Sequence, residues 1–553
     1  MTLEAAYLSA DHFGLDGASR FFADALVSAD ERNATDPAIL AGAYLESARA
    51  AFRLADADGA LNRLALAKAT TAKIADDAFR VQYTAEIGET EGTILVARDP
   101  KAAIATLSSS MATFASAGRP LRRAMLLLIR GRAYRAAGEP ASAEKDWAEG
   151  AAIFEDQRPE IRNAQQQINH FDQMWDLFRE LIVVRASNAV ASLDVAERFR
   201  GRALLDSLAH DRQAAPLSGE NMYRWLPAGV TVMAYAVLPD ELFRWTISRD
   251  GVALDRLKIG AGELAALVDR HRASLLARGD GLDAGGVQLS QLLLPASLDS
   301  RVTRRLVFLP DGPLFAVPFA ALPVPGAPSH LIVDDFTPSV APSLTVLKTA
   351  AKQAAPSHAL LISAADANAG ESLPALPGAT DEIDAIASVY PRPTRLEGPD
   401  ATPAAILKAL STADVTHFAG HAIADNGTPS RSRLLVFGPA AISFDDLRRT
   451  PLRPGAIVVL SACDAARGRV FHGEGAVGLT YPFLANGASA VVASIWQIDD
   501  ATPASLWQSF HARVSAGAAP DTALAESQRI SRRHGVTPAV WAAFESVGGL
   551  AGQ

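Results

Sequence analysis

Between residues 300 and 500 five short apolar runs recur: RLVFLP (305–310), HALLIS (358–363), DVTHFAG (414–420), AIVVLSA (456–462) and SAVVASIW (489–496). Helix-forming stretches separate them. This alternation constrains the fold more than any other feature of the chain. Uninterrupted Val, Ile and Leu suit strands buried on both faces, and the stretches between supply the crossovers that parallel strands require. A mostly parallel α/β sheet is therefore expected. In open sheets of this kind chemistry collects beyond the carboxyl ends of the strands. Two of the runs end in reactive residue types, one in Gly420-His421 and one in Cys463.

Cys463 is the only cysteine in 553 residues, so no internal disulfide can form and nothing calls for an oxidising compartment. A thiol at a strand end reads either as core packing or as a nucleophile. If DVTHFAG and AIVVLSA are neighbours, about 4.8 Å apart, His421 and Cys463 emerge side by side. The stretch between them has room for a crossover helix, and SFDDLRR (443–449) offers one, with Ser443 and Asp446 spaced as a capping box. An imidazole near a thiol favours the thiolate and can later protonate a leaving amine. The backbone N–H of Cys463, with one from the turn after His421, suits a developing oxyanion. His417 falls inside the strand and reads as structural, His472 as a solvated loop residue, and Ser461 lies too near the strand interior.

Upstream the pattern differs. Residues 1–212 are rich in Ala, Leu, Arg and Glu, and three stretches look alike: 53–69, 95–115 and 134–154. Each reads as a helix, a short turn (Asp58-Gly59, Asp99-Pro100, Glu139-Pro140) and a second amphipathic helix. Such spaced self-similarity predicts an α-helical solenoid resembling tetratricopeptide (TPR) repeats, at a spacing longer than that family's 34 residues. HDRQAAPLSGEN (210–221) has the composition of a boundary. Beyond it, 231–259 reads as strands joined by turns at Pro239-Asp240 and Asp250-Gly251. The expected domains are a TPR-like region, 1–212, and a second domain, 220–553, divided into 220–350 and 356–553.

A net charge of -9 argues against nucleic acid or an anionic membrane as the main partner. The start of the chain lacks the basic and apolar pattern of a signal peptide, and no run of 18 apolar residues occurs, so a cytoplasmic location is expected. Gly473, Gly475 and Gly478 spell G-x-G-x-x-G, but ten residues separate them from the strand end at Cys463, too far for a dinucleotide site. They are expected to shape a flexible loop. No cofactor and no metal is predicted.

VTHFAGHA (415–422), VVLSACDAARG (458–468), GEGAVGLTYPFLANGASAVVASIWQIDD (473–500) and, upstream, LVFLPDGPLFAVPFAAL (306–322), VAPSLTVL (340–347) and LPGATDEIDAI (376–386) together resemble the CHAT family. These are caspase-like domains found beside TPR repeats and grouped with caspases, metacaspases and separase. The resemblance implies a caspase-like α/β fold and a cysteine endopeptidase, with His421 as general base and acid and Cys463 as nucleophile. Ala422 stands where caspases usually carry Gly, and its N–H would serve the oxyanion together with that of Cys463. By analogy with separase, Trp496 would form a cleft wall, and Asp499, Asp500 or Asp464 would pair with a basic side chain of a protein substrate. The family's domain pairing implies a regulatory or activating protein bound by the TPR-like region. The alternative is a non-enzymatic adaptor.

Overall fold

The computed structural model describes residues 36–550 except 117–121, 158–163, 209–214, 278–279, 281, 351–355, 368–372, 374, 426 and 499–503, with scattered positions between 17 and 28. Its contacts divide the chain into two compact units: Met1–Glu160 with Asp176–Val184, and Ile161–Trp175 with Arg185–Gln553.

In the first unit six helices form three hairpins: α1 (Pro37–Arg53) with α2 (Ala57–Thr71), α3 (Asp77–Leu95) with α4 (Pro100–Ser116), and α5 (Arg122–Ala136) with α6 (Pro140–Gln157). Local chemistry sets their ends. Pro100 and Pro140 open their helices, where the missing N–H costs nothing. At the end of α5, Gly138 is left-handed (φ 81°); its N–H reaches Arg135 O and that of Glu139 reaches Tyr134 O, a Schellman closure. The expected helix pairs all form, with one shift. The first turn occupies residues 54–56, not Asp58-Gly59, because Asp56 caps α2 by accepting the Gly59 N–H at 2.9 Å. Small residues let the helices close up: a Cβ on Gly131 would lie 2.3 Å from the indole nitrogen of Trp147. That buried nitrogen donates to Leu128 O.

The second unit is built on an eleven-stranded sheet. Its strands are β1 (Val230–Val237), β2 (Leu242–Ser248), β3 (Gly251–Leu257), β4 (Arg305–Leu309), β5 (Thr337–Val340), β6 (Ala359–Ser363), β7 (Thr394–Glu397), β8 (Val415–Ala419), β9 (Ile457–Ser461), β10 (Ala490–Ser494) and β11 (Phe544–Gly548). In space they run β3-β2-β1-β4-β5-β11-β10-β9-β8-β6-β7. Seven of the ten pairings are parallel; β3-β2, β2-β1 and β10-β11 are antiparallel. All five apolar runs form strands of this sheet, and β6, β8, β9 and β10 are buried at every position. Helix Phe444–Arg449 lies between β8 and β9 in the chain, with the Ser443–Asp446 capping box in place.

Helices Ala189–Phe199 and Arg202–Leu208 belong to this unit and are fixed to it by buried charges. Glu197 accepts the N–H groups of Leu344 and Thr345. Arg200 donates to Leu309 O at 3.0 Å. Glu474 accepts the N–H groups of Ala203 and Leu204 at 2.9 and 2.8 Å. No described helix is long and apolar enough to cross a membrane.

Candidate active site

β8 and β9 are parallel neighbours in which Ala419 stands opposite Ser461. The ladder continues one residue further, where Gly420 donates to Ser461 O at 3.2 Å. His421 and Cys463, each two residues past that pair, therefore leave adjacent strands at the same carboxyl edge. Gly420 is required by space: a Cβ there would sit 2.6 Å from that of Ala364. Past His421, residues Ala422–Ile423 pair with Arg433–Leu435 in a small three-stranded sheet, and Leu435 donates to His421 O at 3.0 Å. The main chain of His421 is thus held on both sides. Its side chain is mostly covered.

Cys463 is half-buried. Its Sγ lies 3.5 Å from Ile498 O, and the turn that follows is strapped to the end of β10: Ala466 donates to Ser494 O at 2.8 Å and Asp464 to Trp496 O at 3.4 Å. Asp464 takes a left-handed φ of 52°, the sharp bend that ends the strand. A cavity opens beside the thiol, walled by Leu376, Ala379, Ala419 and Ile498, with Glu382 in its lining.

Four of the residues singled out in the sequence thus gather at one edge: His421, Ala422, Cys463 and Asp464. The Asp464 carboxylate is engaged by Arg467 at 3.3 Å. Trp496 is corrected: it is 2% exposed and absent from the cavity wall, because its indole N–H is satisfied inside the fold by Ala539 O at 2.8 Å. A tryptophan whose one polar atom is bonded in the core has no reason to face a cleft. Asp499 and Asp500 lie outside the described residues.

The glycine-rich stretch is also corrected. Gly468–Phe471 and Gly475–Gly478 pair as an antiparallel hairpin instead of an open loop. Gly473 (φ 77°) lies so close to Phe199 that a Cβ would sit 2.0 Å from its ring. His472, though exposed, stacks its ring on Trp175, with centroids 5.4 Å apart and planes within 5°.

His417 is completely buried, as its strand position predicted, but it is not alone. Its Nε2 lies 2.5 Å from Glu382 Oε1 and its Nδ1 2.9 Å from His511 Nε2; His511 Nδ1 in turn meets Tyr390 Oη at 2.8 Å. Burial lowers the His417 pKa to about 3 and pushes that of His511 well below the usual imidazole range. Sequence reasoning missed this chain. The available signal was Glu382 itself, a carboxylate on the helix face that also carries Ala379, Ile383 and Ile386. Among the described residues no group of His, Cys, Asp and Glu is arranged to hold a metal.

Comparison with known proteins adds the family. No curated protein matches the chain. Chains in two crystal structures of the Saccharomyces cerevisiae separase–securin complex, at 3.0 and 2.6 Å resolution, match at TM-scores of 0.43 and 0.42 and 10% identity. Each match covers 99% of this chain, which spans only 55 and 56% of those chains. Residues 284–549 match the CHAT domain. The stretch that is similar to the CHAT family thus contains the His421 and Cys463 edge.

Proposed function

We propose that the protein is a cysteine endopeptidase acting through His421 and Cys463. One observation carries the reading: the imidazole and the only thiol leave adjacent parallel strands at matched register, with the thiol on the wall of a cavity. His421 takes the Cys463 proton, and sulfur attacks the substrate carbonyl carbon. As the C–S bond forms, the carbonyl π pair moves to oxygen, held by the N–H groups of Ala422 and Cys463. Collapse breaks the C–N bond, and His421 gives its proton to the leaving amine. Water then attacks the thioester, passing a proton to His421. The C–S bond breaks, the thiolate is reprotonated, and a carboxylic acid leaves. The helical hairpins of the first unit dock a regulatory protein, and the chain works in the cytoplasm.

The test is turnover of a peptide library by wild type, Cys463→Ala and His421→Ala, with and without lysate to supply an activator. Each substitution is expected to lower the rate by about a thousandfold or more, since the two groups act as a unit. Activity surviving both rejects the dyad. Absence of turnover in wild type under every condition favours an adaptor without enzymatic activity.

A further inference from the structure

The cavity beside Cys463 is about 40 Å³, room for a water molecule and not for a side chain. Glu382, Ser461 and Cys463 bring polar groups to its lining, and a space of that size with two to four polar partners holds water. The buried chain behind Glu382 has its direction set at the far end. Tyr390 is buried, and among the described residues the hydrogen-bond partner of its Oη is His511 Nδ1, at 2.8 Å. A buried phenol O–H needs an acceptor, so Tyr390 donates. Both imidazoles are kept neutral by burial, and a neutral imidazole has one donor and one acceptor nitrogen. His511 Nε2–H therefore donates to His417 Nδ1, and His417 Nε2–H to Glu382 Oε1. Glu382 is thus anchored from inside the fold. A carboxylate has acceptor sites beyond that one bond.

We propose that this cavity holds the water that resolves the thioester, with Glu382 as its positioning residue. A water that donates one hydrogen to Glu382 keeps a lone pair for the acyl carbon carried by Cys463 Sγ at the cavity wall. As the new C–O bond forms, the carbonyl π pair moves to oxygen and the second water proton passes to His421. Collapse breaks the C–S bond, and the thiolate takes its proton back from His421. Glu382 contributes orientation, which matters because a misplacement of about 1 Å can cost about a hundredfold in rate. The inference rests on the reading of Cys463 as nucleophile and adds what serves the second half of its cycle.

Glu382→Gln keeps a carbonyl oxygen for His417 Nε2–H and turns an amide donor, in place of an acceptor, toward the water. Wild type and the variant, each as the whole 553-residue chain, are mixed with p-nitrophenyl acetate, an activated ester small enough to need no specificity pocket. The burst of p-nitrophenol reads acylation, and decay of acetyl-Cys463 in intact-protein mass spectra reads hydrolysis. The burst is expected to agree within about twofold, while the variant's thioester decays about tenfold or more slowly. Added hydroxylamine attacks the thioester without needing a placed water and should bring the two decay rates together. Equal decay in water, a gap that hydroxylamine leaves in place, or a burst that falls along with the decay overturns the inference and leaves the nucleophile standing. No acetylation of Cys463 in wild type overturns both.

Discussion

His417 shows what one buried side chain commits a fold to. In the folded state its pKa is lowered from 6.5 to about 3 by burial, while in the unfolded chain it titrates normally. Below pH 6.5 the unfolded state therefore binds a proton that the folded state refuses. The stability held by neutral His417 is complete above pH 6.5, drains as pH falls, and is gone once pH passes below about 3. Each unit within that window removes about 1.4 kcal/mol. His511, also lowered by burial, adds a loss of the same sign. His417→Gln deletes one titration. Between pH 6.5 and 4.5 wild type should lose about 2–3 kcal/mol more than the variant, read from urea midpoints at each pH. Parallel losses in the two proteins would mean that His417 does not titrate on unfolding.

Among the elements, two glycines with nearly the same φ separate conformational strain from collision. Gly138 (φ 81°) has open space where a Cβ would go, whereas Gly473 (φ 77°) has the Phe199 ring at 2.0 Å. Gly138→Ala should cost only the left-handed strain, about 1 kcal/mol. Gly473→Ala adds a steric clash of about 1–3 kcal/mol. It should also lower activity, because the hairpin it distorts follows Cys463 directly. Equal losses in thermal melts would show that the ring yields freely. The same contrast explains what the sequence made legible. Strand runs, the Ser443–Asp446 box and the helix starts at Pro100 and Pro140 are written in residues a few places apart, and they were readable. The pairing of β8 with β9 was only a condition in that reading, and the structure supplies it. The buried chain was not readable, since its links join residues 35, 94 and 121 positions apart. Trp496 misled for the same reason: the carbonyl that satisfies it lies 43 positions away. Long-range partners leave no local pattern.

For the molecule as a whole, the buried charges around residues 197–204 bear on where the sheet-bearing unit can be cut. A composition boundary at 210–221 suggests a fragment beginning at residue 220. Such a fragment discards the Ala203 and Leu204 N–H groups that satisfy Glu474, and Glu197, which accepts from Leu344 and Thr345. It also removes Arg200 from the end of β4 and Trp175 from the ring of His472. A buried carboxylate stripped of its donors costs about 3–5 kcal/mol, a large part of the stability of an ordinary domain. Residues 161–553 keep every one of these partners. Expressed side by side, the longer fragment should elute as a folded species with a cooperative melt, and the shorter should aggregate or melt without cooperativity. In the shorter fragment Glu474→Gln, which removes the charge but keeps an acceptor for Tyr481, should recover part of the loss. A cooperative melt from residues 220–553 at the midpoint of the longer fragment would show that the two connecting helices are passengers on the sheet.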